Sequence, residues 1–316
     1  MKQHDPVSKI LLPVDGSEDS RRAVQFAGCM GAALSKSLSG ITLLHVTAEG
    51  YFSRHMGYID FRAEDLLQTE AFKKIKNQYI EERIKPFLDQ SEKILIDLGV
   101  EVKIEKLIVD GDPASEIVRI ADERRFSTII MARRGLSELK GSFMGSVTGK
   151  VVHTASNQTV YVVGYKVLED KTCPIPKILI PVDGSIYSMK GVEHAASLAK
   201  KLRGPISGIT LLRVINIALF EERLKERIDP EEEAKRILEE AKAVFLKAGV
   251  SEELITIKMK MGNPAEEILK EAEEEQYNLV VMGRKGRSAL KDLFLGGVST
   301  TVLQRCQNPT IAIVSA

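Results

Sequence analysis

The chain has 316 residues, more than one hydrophobic core usually supports, so two domains of about 150 residues each are expected. Hydrophobic residues make up 44% and charged residues 28%, which excludes a disordered or fibrous chain. Lys and Arg (45) nearly balance Asp and Glu (44), so the net charge of +1 gives no footprint of nucleic-acid or membrane-surface binding. Any bound anion must be held locally.

The start of the chain and its cysteines indicate the compartment. The first 15 residues are charged and interrupted by two prolines, unlike a signal peptide, and no run of 18 apolar residues occurs. The cysteines are odd in number and far apart, so they predict neither a CxxC pair nor a disulfide framework: Cys29, Cys173 and Cys306. We expect a cytoplasmic protein.

The sequence repeats itself. Residues 9–17 (KILLPVDGS) match 177–185 (KILIPVDGS), and 131–135 (MARRG) match 282–286 (MGRKG). Two long copies indicate a duplicated domain and not a solenoid.

We place the first domain at residues 1–168 and the second at 169–316. The connection contains Pro174 and Pro176, which favour a short and fairly stiff linker. We expect the two domains to pack as an internal pseudo-dimer.

Each domain reads as alternating strands and helices. Asp112 and Asn263 stand at predicted helix N-caps, and Glu266 occupies a capping-box position. Runs rich in Ile, Leu and Val predict strands buried on both faces, in the first domain at 10–14, 41–46, 128–131 and 160–163. This alternation predicts an α/β fold with an open, mostly parallel sheet, which binds ligands at the carboxyl ends of its strands.

PVDGS follows the first strand of each copy and opens a helix. An aspartate here can accept hydrogen bonds from a ligand hydroxyl or amine, which makes Asp15 and Asp183 candidate binding residues. The alternative is that Asp-Gly-Ser only turns the chain and caps the helix. Repetition with Pro and Asp intact favours binding.

A spaced glycine pattern follows the fourth strand. Gly135 is followed after nine residues by Gly145-Ser146, and Gly286 after nine residues by Gly296-Gly297. Glycines let the backbone approach a phosphate, and amides at a helix start point at an anion. Basic neighbours could add attraction, although solvated loops also carry such residues: Arg133, Arg134, Lys140, Arg284, Lys285, Arg287 and Lys291.

Together these motifs resemble the universal stress protein family, whose nucleotide-binding members carry G-x2-G-x9-G-[S/T]. The resemblance covers essentially the whole chain as two tandem copies. It implies two flavodoxin-like (Rossmann-like) domains, each a five-stranded parallel sheet of order 3-2-1-4-5 flanked by helices. It also implies binding of ATP or AMP, with ADP as a third candidate and a divalent metal entering only with the nucleotide.

The resemblance implies the binding residues of each domain. In the first domain they are Pro13, Asp15 and Val46 around the nucleoside, and Met131, Ala132, Arg133, Gly135, Gly145, Ser146, Val147 and Thr148 on the ribose and phosphate side. In the second they are Pro181, Asp183 and Val214, and Met282, Gly283, Arg284, Gly286, Gly296, Gly297, Val298 and Ser299.

Neither copy matches the family motif fully. Ala132 stands where the motif has its first glycine, and we expect its Cβ to obstruct a positive-φ backbone or a close ribose contact. Gly297 replaces Ser or Thr, which removes one hydroxyl donor but keeps the amide. A lost donor costs only about 0.5–1.5 kcal/mol, so we expect the second domain to be the better site.

The first copy carries about 17 extra residues between Val46 and Gly111. The stretch from Tyr51 to Phe87 contains seven of the chain's 17 Phe and Tyr residues. Such a segment suggests a lid or a docking surface, and an extra helix packed on its own domain is the alternative.

No catalytic or metal-binding residue can be assigned. His45, His153 and His194 lack metal-ligand spacing, and no nucleophile, base and orienting acid can be assembled.

We expect a stress-response protein that binds an adenine nucleotide and acts as a nucleotide-dependent regulator, with no nucleic-acid or membrane partner. A homodimer of the whole chain and an unidentified protein partner are compatible with this interpretation. Two alternatives stay open: a slow ATPase, and a scaffold that binds no nucleotide and uses the aromatic insertion.

Overall fold

The computed structural model describes residues 7–34, 37–48, 70–136, 144–165, 175–202, 206–220, 229–286 and 295–315. Among these residues, no helix combines the length and the apolar character needed to cross a membrane.

The first domain alternates strands and helices as the apolar runs predict. Its strands are β1 (Ile10–Pro13), β2 (Ile41–Thr47), β3 (Ile104–Asp110), β4 (Thr128–Ala132) and β5 (Thr159–Val163). Its helices are α1 (Glu18–Leu34), α2 (Glu70–Tyr79), α3 (Lys85–Asp97), α4 (Pro113–Glu123) and α5 (Ser146–Thr154), with a π-helical turn at Ile80–Ile84 between α2 and α3.

The second domain repeats this order. Its strands are β6 (Lys177–Pro181), β7 (Gly208–Asn216), β8 (Ile255–Gly262), β9 (Leu279–Gly283) and β10 (Thr310–Val314). Its helices are α6 (Ile186–Lys201), α7 (Pro230–Ala248), α8 (Pro264–Glu274) and α9 (Gly297–Arg305), with 3₁₀ turns at Ile217–Leu219 and Glu252–Leu254.

These ten strands form one sheet, in the order β3-β2-β1-β4-β5-β10-β9-β6-β7-β8. Within each domain neighbouring strands are parallel, and the order is 3-2-1-4-5 when each domain is counted from its own first strand. The predicted α/β fold with a parallel sheet in each domain is therefore confirmed. The domains join through β5 and β10, which pair antiparallel with Tyr161 opposite Ala312.

Helices cover both faces of the sheet because its strands are apolar on both sides. One buried cluster packs α1, α3, α6 and α7 against one face, and a second packs α4, α5, α8 and α9 against the other. Both clusters contain residues of both domains, so the core continues across the junction.

The predicted helix starts after β3 and β8 are confirmed. The carboxylate of Asp112 accepts from the Ser115 amide at 3.0 Å, and the Asn263 side chain accepts from the amides of Ala265 and Glu266. Each cap satisfies amides that the first helical turn leaves without intrahelical partners.

Candidate functional site

The Asp-Gly-Ser turns place an aspartate at the carboxyl end of each domain's first strand. Gly16 and Gly184 have φ values of +81° and +77°, which side chains other than glycine rarely adopt. In the second domain Oδ1 of Asp183 accepts from the Ser185 amide at 2.9 Å. The turn interpretation therefore holds for this oxygen, and Oδ2 is directed at the glycine loop that follows β9.

A glycine loop follows the fourth strand of each domain. Its first glycine, Gly135 after β4 or Gly286 after β9, lies against the aspartate of its own domain. A Cβ added to Gly286 would stand 2.7 Å from Oδ2 of Asp183, and one added to Gly135 would stand 2.4 Å from Oδ2 of Asp15. A side chain at either glycine would therefore meet the carboxylate unless the aspartate shifted. In the first domain Oδ2 of Asp15 also accepts from the Leu136 amide at 2.9 Å.

The last helix of each domain begins beside its glycine loop. Gly296 is the N-cap of α9, and its amide donates to the Arg284 carbonyl at 2.9 Å. The Ser299 hydroxyl donates to the Gly283 carbonyl at 3.0 Å. In the first domain Ser146, Val147 and Thr148 form the start of α5, with the Thr148 hydroxyl donating to the Ala132 carbonyl at 2.8 Å.

A cavity of about 660 Å³ opens at the carboxyl ends of β6, β7 and β9 in the second domain. It brings together all the predicted residues of that domain except Arg284: Pro181, Asp183, Val214, Met282, Gly283, Gly286, Gly296, Gly297, Val298 and Ser299. Apolar walls come from Leu212, Ile215, Phe220 and Ile268. The second-domain cavity thus joins an apolar compartment to the glycine loop and the start of α9.

The charges around the second-domain cavity nearly cancel. Among the described residues its charged lining consists of Arg213, Lys285, Asp183, Glu233 and Glu266. Arg305 pairs with Glu266, which leaves two cations and two acids. An anionic group here would depend mainly on backbone amides and the positive end of α9.

Sequence reasoning missed several lining residues. Arg213 and Asn216 flank Val214 at the end of β7, so the rule that ligands bind at strand ends could have identified them. Asn263 follows β8, so the same rule could have identified it. Phe220 and Glu233 lie further along the chain, and only its folded path brings them to the cavity.

The predicted ligand roles of the Arg133 and Arg284 side chains need correction. The Arg284 guanidinium donates to the carbonyls of His153 and Ala155 in the first domain. The Arg133 guanidinium donates to Leu303 and Cys306 in the second domain, at 2.9 and 2.6 Å. Both arginines are buried at the junction, and burial lowers the pKa of each guanidinium. Their side chains therefore fix one domain to the other.

The physical reason for preferring the second domain also needs correction. Gly283 does not have a positive φ, and an added Cβ would stand 2.3 Å from the Tyr187 carbonyl at the start of α6. The Cβ of Ala132 correspondingly packs with the cluster on the α1 side of the sheet. The alanine therefore restricts how closely a helix can approach the sheet.

The first-domain residues lie at the equivalent strand ends. Pro13 and Val46 belong to β1 and β2, and Met131 and Ala132 to β4. Nδ1 of His45 donates to the Val14 carbonyl at 2.8 Å, and the centroid of the His45 ring lies 5.1 Å from that of Phe87. Burial lowers the pKa of His45, and the Val14 carbonyl opposes that shift. A pocket of about 470 Å³ lies beside Gly135 in the first domain. Its lining residues are Ser17, Glu18, Asp19, Arg134, Gly135, Tyr165 and Gln307.

Part of the aromatic insertion can be placed. Tyr79 and Phe87 pack against the first-domain core, as expected of helices packed on their own domain. Several residues named in the sequence analysis lie outside the described residues: the segment 49–69, the side chain of Phe72, and the basic residues Lys140, Arg287 and Lys291. The described residues contain no cluster of His, Cys, Asp and Glu that could hold a metal ion.

The fold and the paired strand-end sites define a duplicated α/β protein of the flavodoxin-like class. The model of the universal stress protein family matches residues 6–163 and again 174–313. The chain therefore belongs to the universal stress protein family, as a tandem two-domain member.

Individual relatives agree with this assignment. A universal stress protein of Mycolicibacterium smegmatis is 26% identical over 323 residues, covering 96% of each chain. The universal stress protein YxiE of Bacillus subtilis is 33% identical over 147 residues, covering 43% of this chain and 97% of its own. The crystal structure of a universal stress protein from Archaeoglobus fulgidus shares the fold, with a TM-score of 0.65, 19% identity and 99% of both chains covered.

Proposed function

We propose that this chain is a stress-response regulator whose second domain binds an adenine nucleotide in the second-domain cavity. One observation carries the proposal: a single cavity of about 660 Å³ is lined by Asp183, by the glycine loop and by an apolar wall. Concave, mostly apolar sites with a few convergent polar groups are typical of small-molecule binding.

The lining residues fit the chemistry of a nucleotide. Val214, Ile215 and Met282 offer an apolar surface to a base. Asp183 offers an acceptor to hydroxyl groups, and the amides at the start of α9 with the Lys285 ammonium offer donors to a phosphate.

Regulation then follows from occupancy. A ligand shifts a conformational equilibrium only by its different affinity for the two states. The cavity is formed by the ends of β6, β7 and β9 and by the starts of α8 and α9, so a bound nucleotide holds these elements in one arrangement.

Calorimetric titration with ATP, ADP and AMP tests the proposal, using Asp183→Asn and the matched variant Asp15→Asn. Asparagine keeps an acceptor for the turn amide but removes the charge, so each turn should persist. We expect Asp183→Asn to weaken binding by about tenfold, the value of one charge-assisted hydrogen bond, and Asp15→Asn to leave the second-domain site unchanged. Absence of binding at millimolar concentrations of all three nucleotides would refute the proposal. Equal losses in the two variants would remove the preference for the second domain.

A further inference from the structure

A chain of hydrogen bonds leads from the glycine loop of the first domain into the second domain. The Arg133 carbonyl accepts from the amide of Gly145, the N-cap of α5, at 2.9 Å. At the other end of α5 the carbonyls of His153 and Ala155 accept from the Arg284 guanidinium. Helix α5 thus connects the first glycine loop to an arginine of the second.

The return path is equivalent. The Arg284 carbonyl accepts from the amide of Gly296, the N-cap of α9, at 2.9 Å. At the end of α9 the carbonyls of Leu303 and Cys306 accept from the Arg133 guanidinium. Two arginines and two helices therefore form a closed circuit that passes through both glycine loops and crosses the junction twice.

The elements of this circuit transmit displacement from one end to the other. Each helix has nine residues and spans about 13 Å, so a shift at one end moves the other end with it. The last carbonyls of a helix lack intrahelical partners and carry the negative end of its dipole, which suits a guanidinium. Both arginines are buried, and packed interiors transmit displacement because they contain few voids.

We propose that Arg133 and Arg284 are positioning residues that couple helices α5 and α9, so that a nucleotide bound at the start of one helix stabilises the other. The inference rests on the proposed nucleotide site. A ligand that fixes the start of α9 also fixes its end, and hence the Arg133 side chain and the Arg133 carbonyl that holds the start of α5. Linkage makes the coupling reciprocal: a ligand at the first loop changes the nucleotide affinity of the second by the same factor that the nucleotide changes the affinity of the first.

Hydrogen exchange of the full chain tests the coupling. Asp15→Ala confines ATP to the second domain, and exchange is followed in the peptide covering 151–158, at the end of α5. At saturating ATP we expect exchange of these amides to slow by about fivefold or more, within the usual range of coupling between sites. Adding Arg284→Lys should abolish the slowing, because a lysine ammonium does not reproduce the planar fork of donors that reaches two carbonyls. Arg236→Lys, on the exposed face of α7, is the matched control.

The outcomes separate the coupling from the nucleotide site. Saturable ATP binding without slower exchange at 151–158, or slowing that persists in Arg284→Lys, overturns the coupling alone. No saturable binding overturns the proposed function. In that case the circuit is tested by comparing Arg284→Lys with the natural chain in the absence of ATP. Arg284→Lys should accelerate exchange at the start of α9 as well as at the end of α5, and acceleration at neither end refutes the circuit. If Arg284→Lys does not fold, Arg133→Lys with Asp183→Ala tests the return path through α9.

Discussion

The Tyr161 hydroxyl lies 2.6 Å from Nε2 of His194, and the two side chains come from different domains. Tyr161 belongs to β5 and His194 to α6, and both are buried. Burial raises the pKa of Tyr161 and lowers the pKa of His194 to about 4. Tyrosine is therefore the donor and a neutral histidine the acceptor at the junction.

This pair predicts acid sensitivity. The folded-state pKa of His194 lies below the unfolded value of 6.5, so the unfolded chain binds the proton more readily and stability falls as pH falls. The contribution is complete above pH 6.5 and is lost as the pH drops towards about 4, by about 3 kcal/mol in total. Urea unfolding at several pH values between 7.5 and 4.5 measures the loss.

His194→Phe is the control for that measurement, because the repeat places Phe26 at the equivalent position of the first domain. The variant loses the hydrogen bond with Tyr161 at every pH, but its unfolding free energy should fall less between pH 6.5 and 4.5. The same decrease in both proteins would contradict the assignment to His194.

The second domain carries an ionic cluster where the first is apolar. Glu271 is buried and bonds to the Lys258 and Lys260 ammonium groups at 2.7 and 2.8 Å, and it accepts from the Tyr277 hydroxyl at 3.0 Å. These contacts lower the pKa of Glu271 against the opposing effect of burial. The repeat aligns the cluster with four apolar residues of the first domain: Leu107, Val109, Ile120 and Phe126.

We expect Glu271→Ile alone to destabilise the chain by about 2–3 kcal/mol, because it leaves two lysines beside an apolar side chain. The loss stays below the about 3–5 kcal/mol of a fully buried pair because both lysines reach solvent. The fourfold change that also introduces Lys258→Leu, Lys260→Val and Tyr277→Phe should recover most of the stability. Urea unfolding compares the variants, and a fourfold variant no more stable than Glu271→Ile would contradict this account.

Gly297 offers a simple gain of affinity. A Cβ added there meets no atom within 4 Å, so a serine fits at the start of α9 and supplies the hydroxyl of the family motif. We expect Gly297→Ser to tighten nucleotide binding by about two- to tenfold, the value of one hydrogen bond of about 0.5–1.5 kcal/mol. Calorimetry with Gly297→Ala as control separates the hydroxyl from the backbone effect, and equal affinities of the two variants would refute the hydroxyl's role.

In contrast to Gly297, a larger residue in place of Gly283 should destabilise the protein. An added Cβ would meet the carbonyl of Tyr187 at 2.3 Å and the amide of Ser188 at 2.7 Å, so α6 would have to move. We expect Gly283→Ala to cost about 1–3 kcal/mol, as overpacking usually does. Chemical unfolding measures the change, with Ala132→Gly as the converse variant in the first domain. An unfolding free energy equal to that of the natural chain would show that α6 can retreat freely.

Local patterns in the sequence predicted local structure well. The apolar runs located β1, β2, β4 and β5 of the first domain, and Asp112 and Asn263 cap the helices after β3 and β8. The predicted capping box is only half formed, because the Glu266 carboxylate pairs with Arg305 of a distant helix. That choice depends on how two helices pack, which spacing along the chain does not reveal.

Contacts between the domains could not be predicted from pattern. The arginines after β4 and β9 looked like phosphate ligands because they stand beside glycines, yet their partners are carbonyls at least 129 residues away. Every residue except proline has the same backbone groups, so the sequence contains no sign of such a partner. The β5 and β10 segments are equally apolar on both faces, and periodicity alone does not say which strand edges join.

The pairing of Tyr161 with Ala312 makes the two domains non-interchangeable. Directly opposite residues of an antiparallel pair project to the same face of the sheet. At this junction that face has room for one large side chain, Tyr161, and one small side chain, Ala312. Two first domains would crowd two tyrosines into that space, and two second domains would leave a void between two alanines. Each domain therefore selects the other kind of domain over a copy of itself, which disfavours the pairing of two first domains or of two second domains from neighbouring molecules.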